Sequence, residues 1–162
     1  MAADMFLKLD GIDGESVKSK AEGWIEIHSF SNGASNPSMG AHGTGMGSGK
    51  VDLSSISVQK VLDKASPKLF QACCMGTHIK KGTLMVREAS GANTTEVYFQ
   101  YDMDGVFIDS ISWGGATGSG KPSESLSFSF QKIVVSYWPQ DAQGKVGNKI
   151  PAGWDITKNV KV

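Results

Sequence analysis

The sequence predicts a mainly β protein, a closed antiparallel β-barrel with one short flanking α-helix and a long glycine-rich extended loop. Three observations carry that expectation. Apolar and polar residues alternate over most of the chain, the period of a half-buried strand. Turn-forming pairs such as Asp10-Gly11, Asp13-Gly14 and Asp104-Gly105 punctuate the alternation. The alternation also changes phase within long strands, as a curving, closing sheet requires. With 162 residues the chain has the size of a single domain, 1–162, able to bury a core without staples.

Taken in order, Met5-Phe6-Leu7-Lys8-Leu9 forms a strand that ends at Asp10-Gly11. Residues 24–30 form another, with Ile25 and Ile27 on one face and Trp24, Glu26, His28 and Phe30 on the other. Residues 33–50, GASNPSMGAHGTGMGSGK, carry no regular apolar pattern, no aromatic residue and no charge before Lys50. So long a connection inside a compact domain implies contacts outside its own fold. Val51 and Leu53 share one parity while Ile56 and Val58 take the other, which predicts a bulge or a strand crossing between sheet environments. One helix is expected. Ser66 suits its N-cap, Pro67 its first position and Gly76 its end, with Leu69, Ala72, Cys73 and Gly76 on one stripe. Val97, Phe99, Tyr101 and Met103 alternate up to a turn or bulge at Asp104-Gly105, and residues 106–113 resume as strand. Leu126, Phe128 and Phe130 then give way to the opposite parity of Ile133, Val135 and Tyr137. Residues 154–157 read as a short closing strand.

The 16 basic and 16 acidic residues cancel, so no net field draws the chain to nucleic acid or an anionic membrane. A neutral surface also favours association with copies of itself. The first residues, MAADMFLKLDGIDGES, lack the basic and apolar regions of a secretory signal, and no apolar run is long enough for a membrane span. Cys73 and Cys74 are neighbours, so a bridge between them would be strained, and both read as buried thiols.

Several motifs hint at chemistry. Gly115-Ala-Thr-Gly-Ser-Gly120-Lys121 has phosphate-loop spacing, but Pro122 stands where the magnesium-binding hydroxyl belongs and a strand follows instead of a helix. Asp102-Met-Asp104-Gly105 is similar to a calcium loop, yet that register would put Gln100 first and Ile111 at the bidentate position. His28, His42 and His78 share no metal-ligand spacing. Cys73 or Cys74 with His78 would make a nucleophile pair, against which stands the usual burial of helix thiols. Lys80-Lys81 reads as a solvated strand edge. Nothing here supports an active site, a cofactor or a metal.

Other stretches point elsewhere. Met5-Phe6-Leu7-Lys8-Leu9-Asp10-Gly11-Ile12-Asp13-Gly14-Glu15-Ser16 resembles the opening of the hemolysin-coregulated proteins, Hcp, the tube subunits of the bacterial type VI secretion system. So do Ser57-Val58-Gln59-Lys60 leading to Asp63, Ser66-Pro67-Lys68-Leu69 and Ala72-Cys73, and further on Phe128-Ser-Phe-Gln-Lys-Ile-Val-Val-Ser-Tyr137 and Gly153-Trp154-Asp155. The resemblance runs from end to end. It implies a homo-hexameric ring, stacking of rings into a tube, a spike protein at the tip, a contractile sheath outside, and effector proteins carried and protected in the lumen. It also implies assembly in the cytoplasm and then secretion without a cleaved signal peptide, and no appended toxin domain is expected. Relatives often carry Trp-Ser-Trp-Gly where this chain has Phe30-Ser31-Asn32-Gly33, so Ser31 is the lumen or cargo contact that the resemblance offers. The glycine-rich loop is expected to lie on the next ring through Met39, Gly40, Gly43, Gly45, Met46, Gly47 and Gly49, since glycine permits close backbone approach. Two rivals remain: a monomeric lipocalin-like ligand-binding barrel with the loop as lid, and a small Cys-His hydrolase.

Overall fold

The computed structural model of the chain describes residues 2–39, 47–88 and 96–162. β1 (Ala3–Leu9), β2 (Ile25–Ile27) and β3 (Ser29–Ser31) come first. An arm follows, made of β4 (Ala34–Ser35), β5 (Ser38–Met39), β6 (Gly47–Ser48) and β7 (Asp52–Leu53). Then come β8 (Ile56–Val61), α1 (Ser66–Met75), β9 (His78–Glu88) and β10 (Val97–Gly114). β11 (Ser123–Ser129), β12 (Lys132–Tyr137), β13 (Ile150–Asp155) and β14 (Val160–Lys161) complete the order.

All ladders of the main sheet are antiparallel, and the circuit runs β1, β9, β10, β11, β8, β3. It returns to β1 through one kinked strand rather than through a further ladder. β2 pairs with β1 and β3 with β8, and between them the His28 N–H donates to the Gln59 carbonyl at 2.7 Å. The kink corrects the expected alternation over residues 24–30. Ile25 and Ile27 are buried, but beyond His28 it is Phe30, not Ser29, that turns inward, stacking on Phe99 with ring centroids 6.1 Å apart.

The phase change expected after Phe130 is one point on a crease that crosses three neighbouring strands. Ile79 and Gly82 point inward around Lys80-Lys81, Met103 and Val106 around Asp104-Gly105, and Phe130 and Ile133 around Gln131-Lys132. These pairs are aligned, because Asp104 lies opposite both Lys81 and Lys132. Asp104-Gly105 is therefore no turn: β10 runs through it for 18 residues, and Gly105 takes φ 64° to absorb the bend. Lys80 and Lys81 are exposed, but not on a free edge: β10 pairs with this stretch on one side, and on the other the Asp10 N–H donates to the Lys81 carbonyl at 3.1 Å.

Beyond the crease the sheet branches. β12 leaves the barrel circuit and pairs with β13, which pairs with β14. The tail is thus an outer wing and not the closing strand that its position at the chain end suggested. The β13–β14 turn is fastened by the Lys158 N–H, which donates to Asp155 at 2.9 Å and holds that carboxyl below its ordinary range.

Side chains fill the barrel: Leu7, Ile25, Ile56, Val58, Leu69, Leu84, Val106 and Phe128 are fully buried in one cluster. Outside the β1–β9 pair, Phe6, Met85 and Ala21 form a smaller cluster with Arg87 over the Phe6 ring, beneath residues 13–24. Gly14 lets that loop sit down, since a Cβ there would strike the Trp24 carbonyl and the Ile25 backbone. α1 covers the core with Leu69 and Ala72, and Gly76 ends it at φ 64°. Its N-cap is Ala65 rather than Ser66. The Ser66 hydroxyl instead accepts the Asp63 N–H at 3.1 Å, one turn earlier than the spacing suggested.

Candidate assembly surfaces

Of the residues singled out for stacking, Met39, Gly47 and Gly49 lie on the arm, whose described residues pair in short antiparallel ladders. Ala34 and Ser35 pair with Leu53 and Asp52, and Ser38 and Met39 pair with Ser48 and Gly47, as two small ladders separate from the main sheet. Glycine and serine carry no apolar alternation, so nothing in the sequence pattern announced these strands. At the root, Ser54 holds both sides together. Its hydroxyl accepts the Gly33 N–H at 2.8 Å, and its N–H donates to the Gly33 carbonyl at 2.9 Å. The Asn32 amide donates to the Ser54 carbonyl, also at 2.9 Å. The Val51 to Ile56 parity change is thereby explained: β7 belongs to the arm and β8 to the barrel. Gly49 is required by packing, because a Cβ would stand 2.6 Å from the Pro37 carbonyl. Gly40, Gly43, Gly45 and Met46 lie outside the described residues, as does His42. Ser31 sits in β3 directly opposite Ser57, exposed on the outer face of the barrel.

A second surface escaped the reading by type. Lys60 and Glu124 face each other across the β8–β11 ladder with their side chains wholly buried, joined as an ion pair. The Lys60 ammonium also donates to Asp63 at 3.0 Å and to the Val61 carbonyl at 2.9 Å, which ties the start of α1 to the sheet. The other Glu124 oxygen accepts the Trp113 indole N–H at 2.6 Å. That bond holds Trp113 beside Phe70 of α1, ring centroids 5.3 Å apart, and both rings stay about half exposed over a 390 Å³ groove. Parity was the available signal: Lys60 continues the inward row of Ile56 and Val58, and Glu124 that of Leu126 and Phe128.

The chemical motifs dissolve into structure. Residues 115–121 connect β10 to β11, with Gly118 and Gly120 at φ 85° and 78°, and strand follows. Cys73 is half-buried, its thiol 3.9 Å from the Asp109 carbonyl, and Cys74 is exposed, so the expectation of two buried thiols fails for the second. His78 packs on Phe107 at 5.7 Å. Among the described residues no cluster of His, Cys, Asp and Glu is arranged to hold a metal, and no helix is long and apolar enough to cross a membrane. Burial raises the Tyr101 phenol above its ordinary pKa, in contact with Phe30 and Phe99.

Comparison with known proteins agrees over the whole length. The sequence model of the family described as "Type VI secretion system effector, Hcp" matches residues 6–137. Protein hcp1 of Pseudomonas aeruginosa is 35% identical over 162 residues, covering 99% of each chain. A solved type six secretion system protein superposes with a TM-score of 0.93 at 35% identity, over 99% of this chain and 100% of its own. Hcp1 from Salmonella typhimurium superposes with a TM-score of 0.82 at 31% identity over the full length of both chains.

Proposed function

The chain belongs to the Hcp family of the type VI secretion system, and from that premise we propose that it is a structural subunit of the system's inner tube and not an enzyme. Six copies form a ring, rings stack into a tube, and effector proteins travel in its lumen, with a spike protein at the tip and a contractile sheath around it. The tube assembles in the cytoplasm and is then driven out of the cell. The observation that carries this reading is the likeness to Protein hcp1 over 99% of the chain, with a superposition of the same extent on a solved type six secretion system protein.

Physical features support it. Head-to-tail contacts that close by rotation need two different surfaces on one subunit. The Phe70–Trp113 patch, between α1 and one end of β10, and the exposed Tyr137 and Ile150 beside the other end of β10 offer apolar area of that kind. The arm, separate from the main sheet, is suited to reach a neighbouring ring through Met39, Gly47 and Gly49. The ligand-binding barrel finds less support, because side chains occupy the interior. Native mass measurement tests the proposal: a hexamer at micromolar concentration is expected, and a stable monomer would overturn it.

A further inference from the structure

The exposed aromatic residues gather at two places that differ in shape and charge. At one end of β10, Trp113 and Phe70 border the 390 Å³ groove together with Leu62 and Pro67. Asp63 is the one charged residue on that lining. Behind it stand Lys60 and Glu124, so the cluster sets one ammonium against two carboxylates and its excess formal charge is negative. Beside the other end of β10, Tyr137 and Ile150 face each other across the β12–β13 ladder, 48% and 59% exposed. Lys149 precedes Ile150, its ammonium 5.6 Å from the centroid of the Trp138 ring. One site is an apolar groove with an acidic floor, the other an apolar step with a cation beside it.

Interface hot spots are enriched in Trp and Tyr and tend to pair with hot spots on the partner. Among the described residues, Phe70, Trp113 and Tyr137 are the exposed aromatic side chains. Lying beside opposite ends of one long strand, the two sites cannot meet within a subunit. They can meet between two copies placed head to tail, the arrangement that rotation closes into a ring. Their opposite charges favour that register over groove on groove or step on step.

The groove is also held ready. Glu124 gives one carboxylate oxygen to Lys60 and the other to the Trp113 indole N–H, at 2.6 Å for the latter. A half-exposed ring fixed before contact loses less freedom on binding. A buried ion pair is weak evidence for stability on its own. Here its second oxygen has a direction, toward the aromatic ring.

We infer that Trp113 and Phe70 of one copy receive Tyr137 and Ile150 of the next, with Glu124 as the positioning residue that sets the Trp113 ring for that contact. The inference rests on the ring reading and names the residues that meet.

The test combines Pro67→Cys, at the groove, with Ile150→Cys in one chain, in a Cys73→Ala, Cys74→Ser background. Hexamers verified by native mass are oxidised with copper phenanthroline and run on a denaturing gel without reductant. Covalent multimers up to the hexamer are expected, and single chains from either cysteine variant alone. Hexamers that give no cross-link, or dimers from one cysteine alone, would overturn the pairing while leaving the ring intact. A wild-type monomer would instead defeat the ring reading. Two charge-free pairs read the role of Glu124. Lys60→Met with Glu124→Gln keeps an oxygen for the indole N–H, and Lys60→Met with Glu124→Leu does not. With folding checked by denaturant unfolding, the Leu pair should need at least about tenfold more protein to form hexamers, while the Gln pair should match the wild type. Trp113→Phe, which has no N–H to give and leaves the ion pair in place, should share the loss. Equal assembly by both pairs, or wild-type assembly by Trp113→Phe, would remove the positioning role.

Discussion

Glu124 stands directly opposite Lys60 in the β8–β11 ladder, both side chains fully buried, and its second carboxylate oxygen takes the indole N–H of Trp113. One pair of charges thus joins two strands, the start of α1 and an exposed aromatic ring.

Removing one partner should be costly. Lys60→Met alone leaves the buried Glu124 carboxylate without a counter-charge and should destabilise the subunit by about 3–5 kcal/mol in denaturant unfolding. Glu124→Leu should cost less, because Asp63 still pairs with Lys60 at 3.0 Å. The double variant should recover most of that loss, because two apolar side chains of similar volume carry no desolvation penalty. A single variant as stable as the wild type would mean that the pair is open to water.

Leu69→Ala should cost about 2–5 kcal/mol, the usual range for emptying a core leucine site. Leu69 is fully buried within the main cluster, whereas Phe70 beside it is half exposed. Phe70→Ala should therefore leave subunit stability much less changed and act chiefly on assembly, read by native mass.

Tyr101 sets an alkaline limit. Burial raises its pKa above the ordinary 10.0, so the folded state holds the phenol proton more tightly than the unfolded chain. Its contribution is complete below the ordinary pKa and is lost as pH rises through the folded value. In an absorbance titration of phenolate, a late step should coincide with loss of structure. That step should be absent in Tyr101→Phe; its persistence there would assign it to another group.

The arm should act between rings more than within the subunit. Among the described residues, deleting 38–48 removes the β5–β6 ladder, which is separate from the main sheet. The thermal midpoint of the subunit should stay nearly unchanged, while tubes seen by electron microscopy should be lost. A deletion that fails to fold would make the arm part of the barrel, and one that still forms long tubes would remove its stacking role.

Most strands were legible from the chain. Ile56-Ser57-Val58 and Leu126-Ser127-Phe128 alternate so regularly that face and element follow together, and the break after Phe130 marks a real bend. The arm was not, since a stretch of glycine, serine and asparagine around Ser38, Met39, Gly47 and Ser48 leaves no apolar period to read, although these residues pair. The candidate sites divide in the same way. Ser31 and its neighbours could be placed outward by parity, whereas Lys60 and Glu124 were passed over because charge by itself suggests exposure.

The sequence by itself determined most of the barrel strands, the faces that their regular stretches present, and where α1 stops, because side-chain alternation and helix ends are properties of a few consecutive residues. Only the tertiary structure decided that Lys60 finds Glu124 64 positions away, that the barrel closes through a kink at His28, and that the tail forms an outer wing. Those outcomes depend on which strand edges meet. Edge pairing is made by backbone groups that every residue carries, so local pattern leaves the choice of partner open.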